Sequence, residues 1–231
     1  MRLPRSLFLR SAMVLCALLV LYQLWLFAHV CWWIKFNPAS SSFMENRLQV
    51  MQDKNPNAEL KQKWVPYGNI SNHLKRALIA AEDAKFVDHE GFDWEGIARA
   101  YQKNLKKGRV VAGGSTISQQ LAKNLFLSTK RTPWRKAEEV IITLMLEAVM
   151  DKRRIFEIYL NVIEWGNGVF GAEAASRHYF GVRASQLTAE QAAHLAAMVP
   201  NPRYYDRHRE ARGMLAKVQI ILERMPDAEI P

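Results

Sequence analysis

The sequence predicts a mainly α-helical domain behind a single N-terminal transmembrane helix. Three observations carry that prediction. No formal charge falls on the 24 residues between Arg10 and Lys35. After Pro66, apolar residues recur at the three- and four-residue spacing of helices. Period-two alternation, the mark of a half-buried strand, is scarce. At 231 residues the chain has room for one domain of ordinary size and an anchor.

The uncharged run comes first. As a helix its 24 residues extend about 36 Å, against a hydrocarbon core of about 30 Å. A cleaved signal peptide has an apolar core of about 7–15 residues ending in small side chains. This run is longer and closes on Trp32-Trp33-Ile34-Lys35. Arg2, Arg5 and Arg10 precede it with no acidic residue among them, which predicts a cytoplasmic N-terminus. The two cysteines, Cys16 and Cys31, both fall within the span and exclude a disulfide-built scaffold. The whole chain carries a formal charge of +10. Four of its 32 basic residues and none of its 22 acidic ones lie up to Lys35, so the remainder carries 28 against 22, a net +6. That charge is expected across the membrane from the genome, which argues against nucleic acid and for anionic or phosphorylated lipid.

The elements follow in order. Asn37 to Ser42 reads as a short linker, and the pattern stays weak and polar to Pro66. Ser71 caps a helix expected to reach Phe86. A second covers Trp94 to Lys107 and stops at Gly108. A third opens after Gly113-Gly114 with Ser115 or Thr116 as cap. The fourth has Thr132 as cap and Pro133 at its first position. It continues through Val140 to Leu146, apolar nearly all round, and reads as the central buried helix. Arg154 to Val162 is next, then a flexible glycine turn at Gly166, Gly168 and Gly171. Ala172 to Tyr179 follows, closed by Gly181. Thr188 and Gln191 form a capping box. Arg207 to Met225 is amphipathic, with Ala211, Leu215, Val218 and Leu222 on one face.

Four segments hold the residue types that chemistry needs. At the end of the first helix, Glu82 shares a face with Leu78, Ile79 and Phe86; desolvation there raises its proton affinity, which suits a general base or acid. A surface glutamate paired with Lys85 or Arg76 is the plainer alternative. In the second segment, Gly113-Gly114 at a helix start offers free N–H groups to a phosphate. Thr116, Gln120 and Lys123 follow there at i, i+4 and i+7. In the third, Arg131, Arg135 and Lys136 oppose the dipole of their own helix start, which points to an anion they serve. Glu139, Thr143 and Glu147 make a polar stripe on that helix, with pairing of Glu139 to Arg135 as the simplest account. The fourth places Glu157 and Asn161 one turn apart. No metal-binding spacing such as H-E-x-x-H occurs among the six histidines, and neither S-x-x-K nor K-T-G is present.

Taken together, these segments resemble the peptidoglycan glycosyltransferases of glycosyltransferase family 51. The carrying residues are Glu82-Asp83-x-x-Phe86-x-x-His89-x-Gly91 and Gly114-Ser-Thr-Ile-Ser-Gln-Gln-Leu-x-Lys-Asn124. Arg135-Lys136-x-x-Glu139 and Ile155-x-x-x-Tyr159-x-Asn161 complete them. The likeness runs from about Trp64 to Tyr205 and, with the anchor, is to the monofunctional Gram-negative members. It implies a lysozyme-like fold of two lobes around a cleft, the smaller facing the membrane. It implies residues 1–10 in the cytoplasm, 11–34 as transmembrane anchor, 35–63 as linker and membrane-proximal segment, and 64–231 as a periplasmic domain at the bacterial inner membrane, with no transpeptidase domain.

The activity implied is polymerisation of lipid II into β-1,4 glycan, with inversion and release of undecaprenyl pyrophosphate. By the same resemblance Glu82 is the general base and Glu139 a second catalytic acid. Lys123, Arg135 and Lys136 hold the leaving pyrophosphate, with Arg131 beside them. Thr116 and Gln120 position donor phosphate and sugar, while Asp83, Phe86 and His89 shape the first motif. Ser115, Gln119, Asn124 and Asn161 complete the implied substrate-binding set. A divalent cation such as Mg²⁺ is a candidate cofactor without a dedicated ligand set. Lipid II, the lipid-linked glycan and the membrane are the expected partners, with cell-division proteins as candidates and no nucleic acid. Two rivals stand beside this reading. A lytic transglycosylase or muramidase needs an acidic Glu but no pyrophosphate clamp; a division scaffold needs neither.

Overall fold

A computed structural model describes residues 5–231 except 110, 112 and 131, with side chains from Leu9 onward. It divides into two compact units, residues 1–37 and residues 38–231.

The first unit is the helix α1, Arg5–Trp32. Its segment Leu9–Trp32 is 24 residues of mean hydropathy 2.1, long and apolar enough to cross a bilayer. The chain thus has one N-terminal apolar helix of the single-pass kind. Leucines and valines exposed along it meet the requirement of lipid, where backbone polar groups must be satisfied inside the helix. Cys16 and Cys31 are both free thiols.

In the second unit, residues 38–63 of the expected linker hold more order than their composition suggests. Helix α2, Ser42–Gln52, starts at Ser41, whose hydroxyl accepts from the Met44 N–H. A two-residue strand β1, Lys61–Gln62, follows. Helix α3, Asn72–Glu82, has Ser71 as cap, but ends at Glu82 rather than at Phe86. Asp83 leaves helical geometry at φ −161° and ψ 76° because its carboxylate is drawn to another helix start. Helix α4, Trp94–Lys107, stops at the left-handed Gly108. Helix α5, Ile117–Phe126, has Thr116 as cap, and helix α6, Pro133–Val149, has Thr132.

Helix α6 departs from expectation. It exposes Trp134, Ile141 and Leu144, and buries the polar side chains of Glu139 and Thr143. It is therefore not the central buried helix, and its polar stripe faces inward, with Glu139 paired to Arg135 as expected. The inward charges are matched: Glu139 by Arg135 and Lys136, Glu147 by Lys152.

Helix α7, Lys152–Val162, is more deeply buried than α6. Where a flexible glycine turn was expected, strands β2, Glu164–Gly166, and β3, Val169–Phe170, form a hairpin. β3 pairs antiparallel with β2 and parallel with β1, so β1 closes a three-stranded sheet. Gly171 follows with φ +80°, where a Cβ would lie 2.7 Å from the Asn161 carbonyl; only glycine fits. Helices α8, Ala172–Phe180, α9, Ala189–Met198, α10, Pro202–Arg207, and α11, Arg212–Arg224, complete the unit. The buried face of α11 is Met214, Val218 and Ile221. Leu215, expected inside, is exposed, because α9 and α3 meet the neighbouring stripe.

Two helix groups result. One packs α3, α9 and α11 together; the other packs α5 against α2, α6 and α7. The C-terminal end of α3 meets the N-terminal end of α5, and that corner builds the site.

Candidate active site

Asp83 ties the corner together. Its Oδ2 accepts the Ile117 N–H at 2.9 Å, so a carboxylate sits on the positive end of α5. Both its oxygens also lie within 2.9 and 3.1 Å of His89 Nε2. The Gly91 N–H donates to His89 Nδ1 at 3.2 Å, which places the ring proton on Nε2, facing Asp83. The Gly91 carbonyl in turn accepts the Thr116 hydroxyl at 2.7 Å. Phe86 is fully buried against His89 and Phe156. Asp83, Phe86 and His89 thus form a hydrogen-bonded and packed hinge beneath the site.

This closes one expectation. The start of α5 is not open to a phosphate, because Asp83 already supplies its anion. Thr116 and Gln119 form a reciprocal capping box: the Gln119 N–H donates to Thr116 Oγ1 and the Thr116 N–H to Gln119 Oε1. Both side chains are buried, so neither presents donors outward. Ser115 remains exposed and lines a recess of about 280 Å³ with Glu82, Gly113, Gly114 and Arg99.

Glu82 has two unlike oxygens. Oε2 accepts the Gln120 amide at 2.9 Å. Gln120 is itself fixed, because its Oε1 accepts the Tyr159 hydroxyl at 3.0 Å. Oε1 of Glu82 is buried with no hydrogen-bond partner, and Lys217 Nζ stands 3.9 Å away. Burial pushes the Glu82 carboxyl up; Lys217, the Gln120 hydrogen bond and Lys123 oppose that rise. The plainer alternative fails, since Lys85 pairs with Glu95 and Arg76 donates to the Pro226 carbonyl.

Gln120 also lines a second cavity, of about 490 Å³, with Lys123, Asn124, Arg135, Arg47 and Arg203. Burial lowers the Lys123 ammonium's proton affinity, opposed by Glu139 and Glu82 and reinforced by Arg135 and Lys136. Arg135 donates to Glu139 Oε2 at 2.9 Å, and Lys136 bonds the other oxygen. Arg135 Nε is buried and unpartnered. Glu139, 3% exposed, is therefore a counter-ion that aims two cations. Lys123, Arg135 and Lys136 against Glu139 leave three positive charges over one negative. Arg47 forms a two-pronged pair with Glu164 at 2.7 and 3.3 Å on the far wall.

The remaining expected residues divide. Asn124 borders the cation cavity, although its amide donates back to the Gln120 carbonyl. Asn161 stands apart from both cavities. It is fully buried and its amide bonds the N–H and C=O of Val65 at 2.9 and 3.0 Å, which makes it a backbone clamp. Arg131 lies outside the described residues. Both Glu139 oxygens are taken by cations. Among the described residues no three His, Cys, Asp or Glu side chains gather closely enough to share a metal ion.

Three contributors escaped the sequence reading: Lys217, Tyr159 as the anchor of Gln120, and the Arg47–Glu164 wall. Each meets the site through tertiary packing, from 39 to 135 residues along the chain from its partner. Tyr159 is a motif residue and sits in an apolar stretch of its helix, but neither signal names Gln120 as its partner.

Comparison with known proteins gives the family. Residues 47–226 match the family model described as Transglycosylase. The chain is 66% identical to the biosynthetic peptidoglycan transglycosylase of Methylobacillus flagellatus, across 98% of this chain and 99% of that protein. The same-named protein of Laribacter hongkongensis is 66% identical across 96% and 97%. That of Janthinobacterium sp. (strain Marseille) is 57% identical over the full length of both.

Proposed function

Because the chain belongs to the transglycosylase family and is a peptidoglycan glycosyltransferase of the biosynthetic kind, we propose that it polymerises lipid II into β-1,4 glycan with Glu82 as general base. The observation that carries this is Gln120. Its amide donates to the carboxylate and the same residue lines the cation cavity, so one side chain adjoins both base and cations.

The reaction needs that arrangement. The acceptor's 4-hydroxyl, in the Glu82 recess, loses its proton to the carboxylate as its oxygen attacks the anomeric carbon of the lipid-linked glycan. Attack from the opposite face inverts that carbon and expels the pyrophosphate. Negative charge grows on the departing phosphate, and Lys123 and Arg135, which line the cavity, meet it. Lys136 adds charge from the rim, and Glu139 keeps both α6 cations aimed. A lytic enzyme would need an acid beside the glycosidic oxygen and no such clamp.

The membrane completes the reading. Both substrates are lipid-borne, so an anchor holds enzyme and substrate in one plane and raises their effective concentration. With Arg2, Arg5 and Arg10 on the cytoplasmic side, the domain is periplasmic. The exposed Trp134, Ile141 and Leu144 of α6 and Trp94, Tyr101 and Leu105 of α4 supply an apolar surface for lipid. Purified full chain, given lipid II in detergent, is expected to make polymer, and Glu82→Gln to lose about 10²–10⁴-fold of the rate. Fragments from finished glycan in place of polymer, or an undiminished Glu82→Gln, would sink the proposal.

A further inference from the structure

We propose that Lys217, a residue outside all four motifs, is a positioning residue for the base: its ammonium covers the carboxylate oxygen that Gln120 leaves unbonded and keeps Glu82 in its proton-accepting form. The inference rests on Glu82 being the base.

The geometry is specific. Glu82 Oε1 is buried and has no hydrogen-bond partner. A buried carboxylate oxygen in that condition is costly unless a charge compensates it. Lys217 Nζ, at 3.9 Å, is close enough to attract and too far to donate a hydrogen bond. A donated bond would occupy the lone pair that must receive the proton. The 3.9 Å placement stabilises the negative charge and leaves that lone pair free.

The other groups facing Glu82 cannot substitute. Asp83, beside it on α3, is anionic and engaged with His89 and Ile117. Tyr159 of α7 reaches it only through Gln120. Lys123 of α5 lines the cation cavity, where Glu139 also attracts it. Arg224, further along α11, lines the Glu82 recess without pairing to the carboxylate. The buried residues of α9, which packs on α3, are all apolar. Lys217 is partly buried, with 31% of its side chain exposed, so its charge is less screened than that of a surface lysine.

In the transfer, the acceptor hydroxyl gives its proton to Glu82 while its oxygen bonds to the anomeric carbon. The bond from that carbon to the pyrophosphate breaks, and the electron pair leaves on phosphate. Burial lowers the Lys217 ammonium's proton affinity and Glu82 opposes that fall; the step itself takes no proton from Lys217. Its contribution is to the charge state of the base, so it must show in the pH dependence of the rate.

The test is the pH–rate profile of lipid II polymerisation by the detergent-solubilised full chain, for wild type, Lys217→Met and Lys217→Arg. Lys217→Met is expected to lose about tenfold or more of the rate on the acidic side and to recover at alkaline pH, with KM unchanged. Lys217→Arg is expected to restore the profile. A Lys217→Met profile that overlays wild type, or falls by one factor at every pH, overturns the proposal. If the methionine variant does not fold, Lys217→Gln removes the same charge and is read the same way. Failure of both neutral variants to fold would make Lys217 a structural residue and also overturn it. Glu82→Gln separates the two levels. If it keeps activity, the base assignment itself is wrong; if it is inactive while Lys217→Met is unshifted, only the role of Lys217 is lost.

Discussion

Asp83→Ala tests whether the corner between α3 and α5 is built as described. The substitution removes an acceptor from two buried donors, the His89 ring and the Ile117 N–H. His89 cannot turn its proton elsewhere, because the Gly91 N–H already faces Nδ1. Leaving that donor unsatisfied costs about 1–3 kcal/mol. Losing a carboxylate from the helix start costs about 1 kcal/mol more. The expected total is about 3 kcal/mol. For a domain of this size each kcal/mol lowers the melting temperature by about 2–4 °C, so the midpoint should fall by roughly 6–12 °C. Asp83→Asn should fall nearly as far, because its amide sets a donor against the His89 N–H. Thermal unfolding followed by circular dichroism reads the shift. The double variant Asp83→Ala with His89→Ala should cost less than the sum of its parts, since the stranded donor is gone. An Asp83→Ala midpoint within about 2 °C of wild type, or strict additivity in the cycle, would refute the reasoning.

Three further perturbations follow from the same geometry. Glu82→Gln should raise the melting temperature at neutral pH while abolishing polymerisation. Burial raises the folded carboxyl above its ordinary value of 4.5, so its stabilising contribution is complete below 4.5 and lost as pH rises through the folded value; the variant's advantage should shrink on acidification, and a constant advantage would contradict it. Asn161→Ala strands the Val65 N–H and C=O, and is expected to cost about 2–4 kcal/mol in denaturant unfolding with little change in KM for lipid II; a large KM effect in a stably folded variant would argue that Asn161 touches substrate after all. Glu139→Ala frees Arg135 and Lys136 from their shared counter-ion and should cost about 3–5 kcal/mol of stability together with activity. Retained activity at wild-type stability would remove Glu139 from the site.

Much of this protein was legible in its residues. The 24-residue apolar run sets helix α1, long and apolar enough to cross lipid without exposing its backbone. Local capping chemistry named Ser71, Thr132 and Thr188 as helix starts, and each one is; of Ser115 and Thr116 it left open which caps α5, and it is Thr116. Glycine stops were equally readable at Gly108 and Gly181, where the backbone turns left-handed. Glu82, Gln120, Lys123 and Arg135 do gather around one corner. What stayed illegible shares a cause. Thr116 and Asn161 are polar residues on motif segments, and residue type alone does not distinguish a group aimed at substrate from one satisfying a buried neighbour.

What the linear chain determined is whatever depends on neighbours within a helical turn or two: the anchor, the caps, the stops and the polar stripes. Tertiary structure alone decided which way each stripe faces. It turned Glu139 inward and Ile141 outward on α6, ended α3 at Glu82, and brought Lys217 of α11 to the carboxylate. The reason is that a buried charge is tolerable only beside its counterpart, and here the counterpart to Glu82 comes from 135 residues further along the chain.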